Sequence, residues 1–142
     1  MLVREVMTRE VECVAPDATL QQAAQKMRDL DVGPLPVCDN DRLAGMITDR
    51  DIAVRAVAEG RDPKATRVRD AMTAGVDYCF EDDDVGQAAR VMKEKQIRRL
   101  AVLNHDKRLV GIVSLGDLAV ETGDAHLAGH TLERVSEPAG AR

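Results

Sequence analysis

Two seven-residue stretches of this chain carry the same chemistry-bearing side chains at the same spacing, GMITDRD at 45–51 and GIVSLGD at 111–117. Each runs glycine, two aliphatics, a hydroxyl residue, two variable positions and an aspartate. The aliphatic pair suits the end of a buried strand. Thr48 and Ser114 then fall where strand turns into helix, a natural N-cap position. Asp51 and Asp117 follow three residues later, on the first turn. One reading is structural: each hydroxyl and its aspartate make an acidic form of the capping box. The other is a nucleotide grip. A helix start offers free N–H groups to anions, a hydroxyl donates to a phosphate or sugar oxygen, and a carboxylate is a pure acceptor suited to the ribose diol. Arg50 adds a cation to the first stretch, where the second has Gly116. The residue types alone leave both readings open.

The elements that must position these residues are themselves repeated. VREVMT at 3–8 recurs as VRDAMT at 68–73, an offset of 65. At that offset Asp17 matches Asp82, Gln22-Ala23-Ala24 matches Gln87-Ala88-Ala89, Met27 matches Met92, Leu35 matches Leu100 and Val37 matches Val102. One extra residue in the second copy, near 104–107, moves the offset to 66, and then Gly45 matches Gly111 and Asp51 matches Asp117. Chance identity is roughly one position in fifteen, so the pattern records a duplication.

Each copy has one coarse pattern. After MT comes a short apolar stretch, VECVA or VDYCF, that reads as a strand. An amphipathic helix follows, with Leu20, Ala23, Ala24, Met27 and Leu30, or Val85, Ala88, Ala89 and Met92, at helical spacing. Two short apolar runs joined by DNDR or NHDKR read as a hairpin. A second helix starts at about Asp49 and at about Leu115. The fold class is therefore α+β, two β-α-β-β-α units, each a three-stranded sheet with helices on one face. The apolar faces left over are expected to pack on each other, with the helices outside. Counted along the chain, the domains are 1–62 and 63–123, with 124–142 as a tail. In that tail AHLAGHTLERV suits a short extra helix and SEPAGAR a mobile end.

Composition narrows the function. The chain has 142 residues, 44% of them hydrophobic, and a formal net charge of −5. That argues against a general nucleic-acid binder, which needs a basic surface. Tyr78 and Phe80 are the whole aromatic complement, too few for a base-stacking platform. No apolar run approaches the roughly 20 residues of a membrane span. MLVREVMTRE has no apolar core of a secretory leader. Cys13, Cys38 and Cys79 have neither disulfide-framework nor zinc-site spacing. A reduced, cytoplasmic protein is expected.

The duplicated MT…helix…PLPV…LAGMITDRD pattern, with IRR and GIVSLGDL in the second copy, resembles the CBS domain, and the tandem pair resembles a Bateman module of the small stand-alone bacterial type. The resemblance covers about residues 1–121. It implies a pseudo-twofold pair with two clefts between the sheets, each able to take an adenosine-type ligand. By motif position Asp51 and Asp117 would hold ribose hydroxyls, and Thr48 and Ser114, with Arg50 beside the first, would contact ribose or phosphate. Cys13 and Tyr78 would lie near the base. Pro34 and Leu35, with Arg99 and Leu100, match segments that line the clefts. Arg98 and Arg99 suit either phosphate contact or a solvated basic edge. Two departures stand out: Ala101 occupies the position of Pro36, and Gly116 that of Arg50.

The resemblance implies no obligatory cofactor and no catalysis. The ligand would be AMP, ADP, ATP or S-adenosylmethionine, the assembly a homodimer, and the output a separate effector protein. The alternative from a different class is a structural or protein-interaction dimer with empty clefts, connected with stress. Other signals are weaker. His126 and His130 are spaced i, i+4 without a third metal ligand in view. EDDD at 81–84 suits a helix start better than a cation site. His105 falls in a turn. No phosphate-loop, dinucleotide or zinc-protease motif occurs.

Overall fold

A computed structural model describes residues 1–138 of the chain. Two compact units emerge: Glu12–Val76, and Met1–Val11 together with the chain from Asp77 on. These cross the repeat boundaries expected at 1–62 and 63–123. The cause is an exchange of leading segments. VREVMT forms a 3-10 turn (Val3–Glu5) in the unit of the second repeat, where Val3 N–H donates to Asp83 (2.8 Å) and Thr8 exchanges two backbone bonds with Ile112 (2.8 and 3.0 Å). VRDAMT does the same in the other unit. Val68 N–H donates to Ala18 (2.8 Å), and Thr73 and Met46 exchange bonds of 2.8 and 2.9 Å.

In the Glu12–Val76 unit, α1 (Leu20–Leu30) begins at Thr19. The Thr19 hydroxyl accepts from Gln22 N–H while the Gln22 side chain accepts from Thr19 N–H. The helix buries Leu20, Ala23 and Met27 and stops at Asp31, at φ 55°. A hairpin follows, β1 (Pro34–Asp39) and β2 (Arg42–Thr48), turned by Asn40 and Asp41 at positive φ. Then α2 (Asp49–Ile52) runs into a π-helical turn at Ala53–Val57. The first strand expected from VECVA is reduced to one parallel bridge, Val14 with Val37. In the second repeat the matching strand is extended by Glu81 N–H donating to the Leu103 carbonyl (3.0 Å). Pro16 stands at the position of Glu81 and has no N–H to give.

The other unit has the full sheet. β3 (Tyr78–Phe80) is parallel to β4 (Arg99–Leu103), which is antiparallel to β5 (Leu109–Ser114). Between β3 and β4, α3 (Val85–Lys95) is capped by Asp84, which accepts from Gly86 N–H (2.8 Å). EDDD is thus a helix start. α4 (Leu115–Glu121) follows β5, and α5 (Ala125–Ser136) takes up the AHLAGHTLERV segment. Of SEPAGAR, residues 139–142 lie outside the described ones. α5 packs on α3 and α4, with Thr131 and Val135 buried. Ala89 on α3 is buried, whereas its counterpart Ala24 on α1 is exposed.

Each unit has its own apolar core. One gathers Leu20, Leu35, Val37, Ile47 and Val68, the other Val3, Met92, Leu100, Val102, Val113 and Leu118. The glycine opening each seven-residue stretch is explained by the exchanged segment. A Cβ on Gly45 would meet the Thr73 carbonyl oxygen at 2.6 Å, and one on Gly111 the Thr8 carbonyl oxygen at 2.7 Å. Only a residue without a side chain lets the two backbones bond at that distance.

Candidate functional site

Both hydroxyl–aspartate pairs sit at a strand-to-helix junction, and both make the capping box. Thr48 N–H donates to Asp51 Oδ2 and Asp51 N–H to Thr48 Oγ1, each at 3.0 Å. Ser114 N–H donates to Asp117 Oδ2 (2.8 Å) and Asp117 N–H to Ser114 Oγ (3.0 Å). Each cap therefore uses one carboxylate oxygen and one lone pair of the hydroxyl. It leaves each hydroxyl proton and the second carboxylate oxygen, Oδ1, outside the box. A cap and a ligand grip are compatible in one pair of residues.

The hairpins bring the next residues alongside. Pro34 pairs with Thr48, and Arg99 with Ser114. Asp49 N–H donates to the Gly33 carbonyl (3.0 Å), and Leu115 N–H to the Arg98 carbonyl (2.9 Å). The second junction thus assembles Arg98, Arg99, Ser114 and Asp117, and the first Pro34, Thr48, Arg50 and Asp51.

The two junctions differ in charge. In the first, Asp51 Oδ1 lies 3.8 Å from Arg55 Nε, and Arg55 also donates to the Ala71 and Met72 carbonyls. Asp49 and Arg50 add one charge of each sign. In the second, Glu121 stands where the first has Arg55, so no cation reaches Asp117 from that position. Among the described residues neither the Asp117 Oδ1 atom nor the exposed Arg98 and Arg99 guanidiniums have an ion-pair partner. A cavity of about 490 Å³ opens here, lined by Arg98, Arg99, Ser114, Leu115, Gly116 and Ala119, with Ala128, Gly129 and Leu132 of α5 opposite. Small-molecule sites occupy roughly 300–1,000 Å³.

The remaining expected residues lie elsewhere. Leu35 and Leu100 are 2% and 1% exposed and belong to the cores, so they shape the junctions through their backbones rather than by side-chain contact. Tyr78 is exposed, and its hydroxyl accepts from Lys107 Nζ (3.0 Å). It is not among the cavity's lining residues. Cys13 is half-buried, and its thiol shares a hydrogen bond with that of Cys38. Burial pushes the Cys38 thiol up to about 12, with the Cys13 bond a lesser cause, and burial likewise pushes Cys79 up to about 12. His105 pairs with Asp82 (2.7 Å), which raises the imidazole and lowers the carboxyl.

The cavity's α5 wall was not expected from the sequence. Its trace there is Gly129, a residue that costs a helix interior about 1 kcal/mol relative to alanine. Among the described residues no group of three or more His, Cys, Asp or Glu side chains is placed to hold a metal.

The family model of the CBS domain matches this chain twice, at residues 3–57 and 68–122. The chain belongs to the CBS-domain family. Both matches contain their hydroxyl–aspartate junction, and α5 lies beyond them. Hypoxic response protein 1 of Mycobacterium tuberculosis is 39% identical over 130 residues, 91% of this chain and 87% of that protein. A solved structure of Hypoxic Response Protein I with two coordinated zinc ions superposes with a TM-score of 0.76 at 40% identity, covering 84% of this chain and 97% of that one. The CBS pair of MJ0100, solved with 5′-methylthioadenosine and S-adenosyl-L-methionine, gives 0.74 at 27% identity, over 87% and 96%. CBSX2 in complex with AMP gives 0.72 at 26% identity, over 85% and 95%. The CBS pair here therefore has the α+β fold expected, and no helix among its described residues is long and apolar enough to cross a membrane.

Proposed function

We propose that this CBS pair is a regulatory module that senses an adenine nucleotide or related adenosyl compound and does not catalyse a reaction. The observation that carries the reading is the second junction. Ser114 lines a cavity together with two arginines, and its cap partner Asp117 keeps one carboxylate oxygen outside the cap. A carboxylate accepts from a ribose diol, and guanidiniums pair with phosphate. The ligands of CBSX2 and MJ0100, AMP and adenosyl compounds, support this class. The three free thiols suit a reducing, cytoplasmic setting.

A ligand shifts such a module only through different affinities for two states. Those states are two arrangements of a homodimer, read by a separate effector protein. The test is calorimetric titration of nucleotide-stripped protein with AMP, ADP, ATP and S-adenosylmethionine, alongside Asp51→Ala and Asp117→Ala. Micromolar binding that weakens in a variant supports the reading. A folded protein silent to the whole panel refutes it and leaves an interaction protein. Sedimentation with and without ligand reports the dimer.

A further inference from the structure

The first junction carries a contact that the second has no means to make. Arg55 follows Asp51 by four residues, inside the π-helical turn Ala53–Val57, and residues so spaced share a helix face. Its Nε lies 3.8 Å from Asp51 Oδ1, the carboxylate oxygen outside the cap. Its Nη1 donates to the Ala71 carbonyl (3.3 Å) and to the Met72 carbonyl (3.2 Å). One guanidinium thus spans the spare oxygen of Asp51 and the end of the VRDAMT segment.

That segment is tied to the junction from its other side too. Thr73 exchanges backbone bonds with Met46, two residues before Thr48 on β2. Shortly after it the chain leaves this unit, which ends at Val76, and enters the other at Asp77. In the second repeat Glu121 holds the position of Arg55, and an ionised carboxylate has no proton to give a carbonyl.

The planar fork of the guanidinium decides the consequence. Nε and Nη1 are fixed relative to each other, so the group cannot leave Oδ1 and keep both carbonyl bonds as they are. Those bonds are already at the long end for N–H···O and give way easily. A hydroxyl that donates to Oδ1 takes up the charge that holds Nε there.

We propose that Arg55 is an autoinhibitory latch on the first junction: it ties Asp51 Oδ1 to the Ala71 and Met72 carbonyls in the absence of ligand, and a ligand hydroxyl that takes Oδ1 releases the end of the VRDAMT segment. Arg55 is then a positioning residue, acting through Asp51. This rests on the nucleotide-sensing reading and adds to it how occupancy is passed along the chain.

The experiment uses the full chain in an Asp117→Ala background, so that binding reports the first junction. AMP is titrated by calorimetry into this protein and into the same protein carrying Arg55→Gln. Amide hydrogen exchange is followed at Met72 and Thr73, whose N–H groups are held by the Val68 and Met46 carbonyls. Arg55→Gln binds AMP about threefold tighter or more, as removal of a competing closed state requires, while melting at a lower temperature. An arginine that only supports the fold would lose stability and affinity together. Saturating AMP speeds exchange at Met72 and Thr73 by about threefold or more in the background protein, and leaves it unchanged in Arg55→Gln, where it is already fast. The exchange measurement on the background protein needs no substitution at Arg55, so it decides even where Arg55→Gln does not fold. Unchanged or weaker AMP binding in folded Arg55→Gln, exchange that AMP does not raise, or a background protein that no longer binds AMP overturns the latch while leaving nucleotide sensing intact. Silence of the unmodified chain to every nucleotide overturns both.

Discussion

If the proposed reading holds, Asp117→Ala removes two functions of one carboxylate, and their sizes separate them. The cap loses the acceptor that Asp117 Oδ2 gives to Ser114 N–H at 2.8 Å. A lost N-terminal cap interaction costs about 1 kcal/mol, which lowers the melting temperature of a domain of this size by about 4 °C. The ligand loses hydrogen bonds to a charged acceptor, worth about 1.5–3 kcal/mol, so affinity falls about 10- to 100-fold. Asp117→Asn keeps an oxygen for Ser114 N–H but no charge. It is expected to melt near the parent and still to bind poorly. Asp51→Ala is expected to cost less affinity, because Arg55 already lies 3.8 Å from Asp51 Oδ1. The assay is calorimetry with AMP beside thermal unfolding followed by circular dichroism. If Asp117→Ala melts lower but binds AMP as the parent does, the aspartate is a cap and nothing more, and the ribose assignment fails.

Three further outcomes are expected. Gly111→Ala places a Cβ 2.7 Å from the Thr8 carbonyl oxygen. As overpacking against backbone it destabilises by about 1–3 kcal/mol, visible as a lower denaturant midpoint at unchanged slope, and an unchanged midpoint counts against the exchange of leading segments. Near pH 8 a thiol reagent labels Cys13 first, since Cys38 and Cys79 are buried and pushed up to about 12. Equal labelling of all three thiols in the native protein contradicts the packing. The Asp82–His105 pair stabilises most at intermediate pH. The raised imidazole contributes fully below its ordinary 6.5, and that contribution is lost as pH rises through its folded value. The lowered carboxyl contributes above its ordinary 3.8, and that contribution is lost as pH falls through its folded value. The difference in melting temperature between the parent and His105→Gln therefore peaks between about pH 4 and 6.5. A difference flat with pH leaves only the Phe80–His105 stacking, at 4.8 Å between ring centroids.

Local rules account for what was legible beforehand. A hydroxyl three residues before an aspartate after two aliphatics fixes the junction, because the cap bonds span only those residues. The hairpins followed from DNDR and NHDKR, and the shift in repeat offset marks the longer turn before β5. The exchange of leading segments is non-local. VREVMT resembles VRDAMT whichever unit it joins, and only the glycine at 45 and 111 hints at a backbone pressed against it. The loss of the first strand was written in Pro16, a single missing donor within an otherwise strand-like run. The role of α5 was hidden for another reason. Its cavity face is made of Ala128, Gly129 and Leu132, residue types without chemistry of their own, so no motif marks them in the sequence.

Duplication supplies two copies of one junction, and the shared cap keeps both alike in backbone. Selection for different ligands can then act only on positions the cap does not use. Those include the residue before the hairpin strand, the strand's first residue, the two at the helix start, and the one a turn beyond the aspartate. The chain differs at all of these: Gly33 against Arg98, Pro34 against Arg99, Asp49-Arg50 against Leu115-Gly116, and Arg55 against Glu121. At the first junction the spare carboxylate oxygen is engaged by a cation from its own helix. At the second that cation is gone, and the cations Arg98 and Arg99 stand instead where the paired strand begins. Thr48–Asp51 is thus the more self-contained pair, and Ser114–Asp117 the one whose second carboxylate oxygen has no ion-pair partner among the described residues. That asymmetry makes the second site the place to look first.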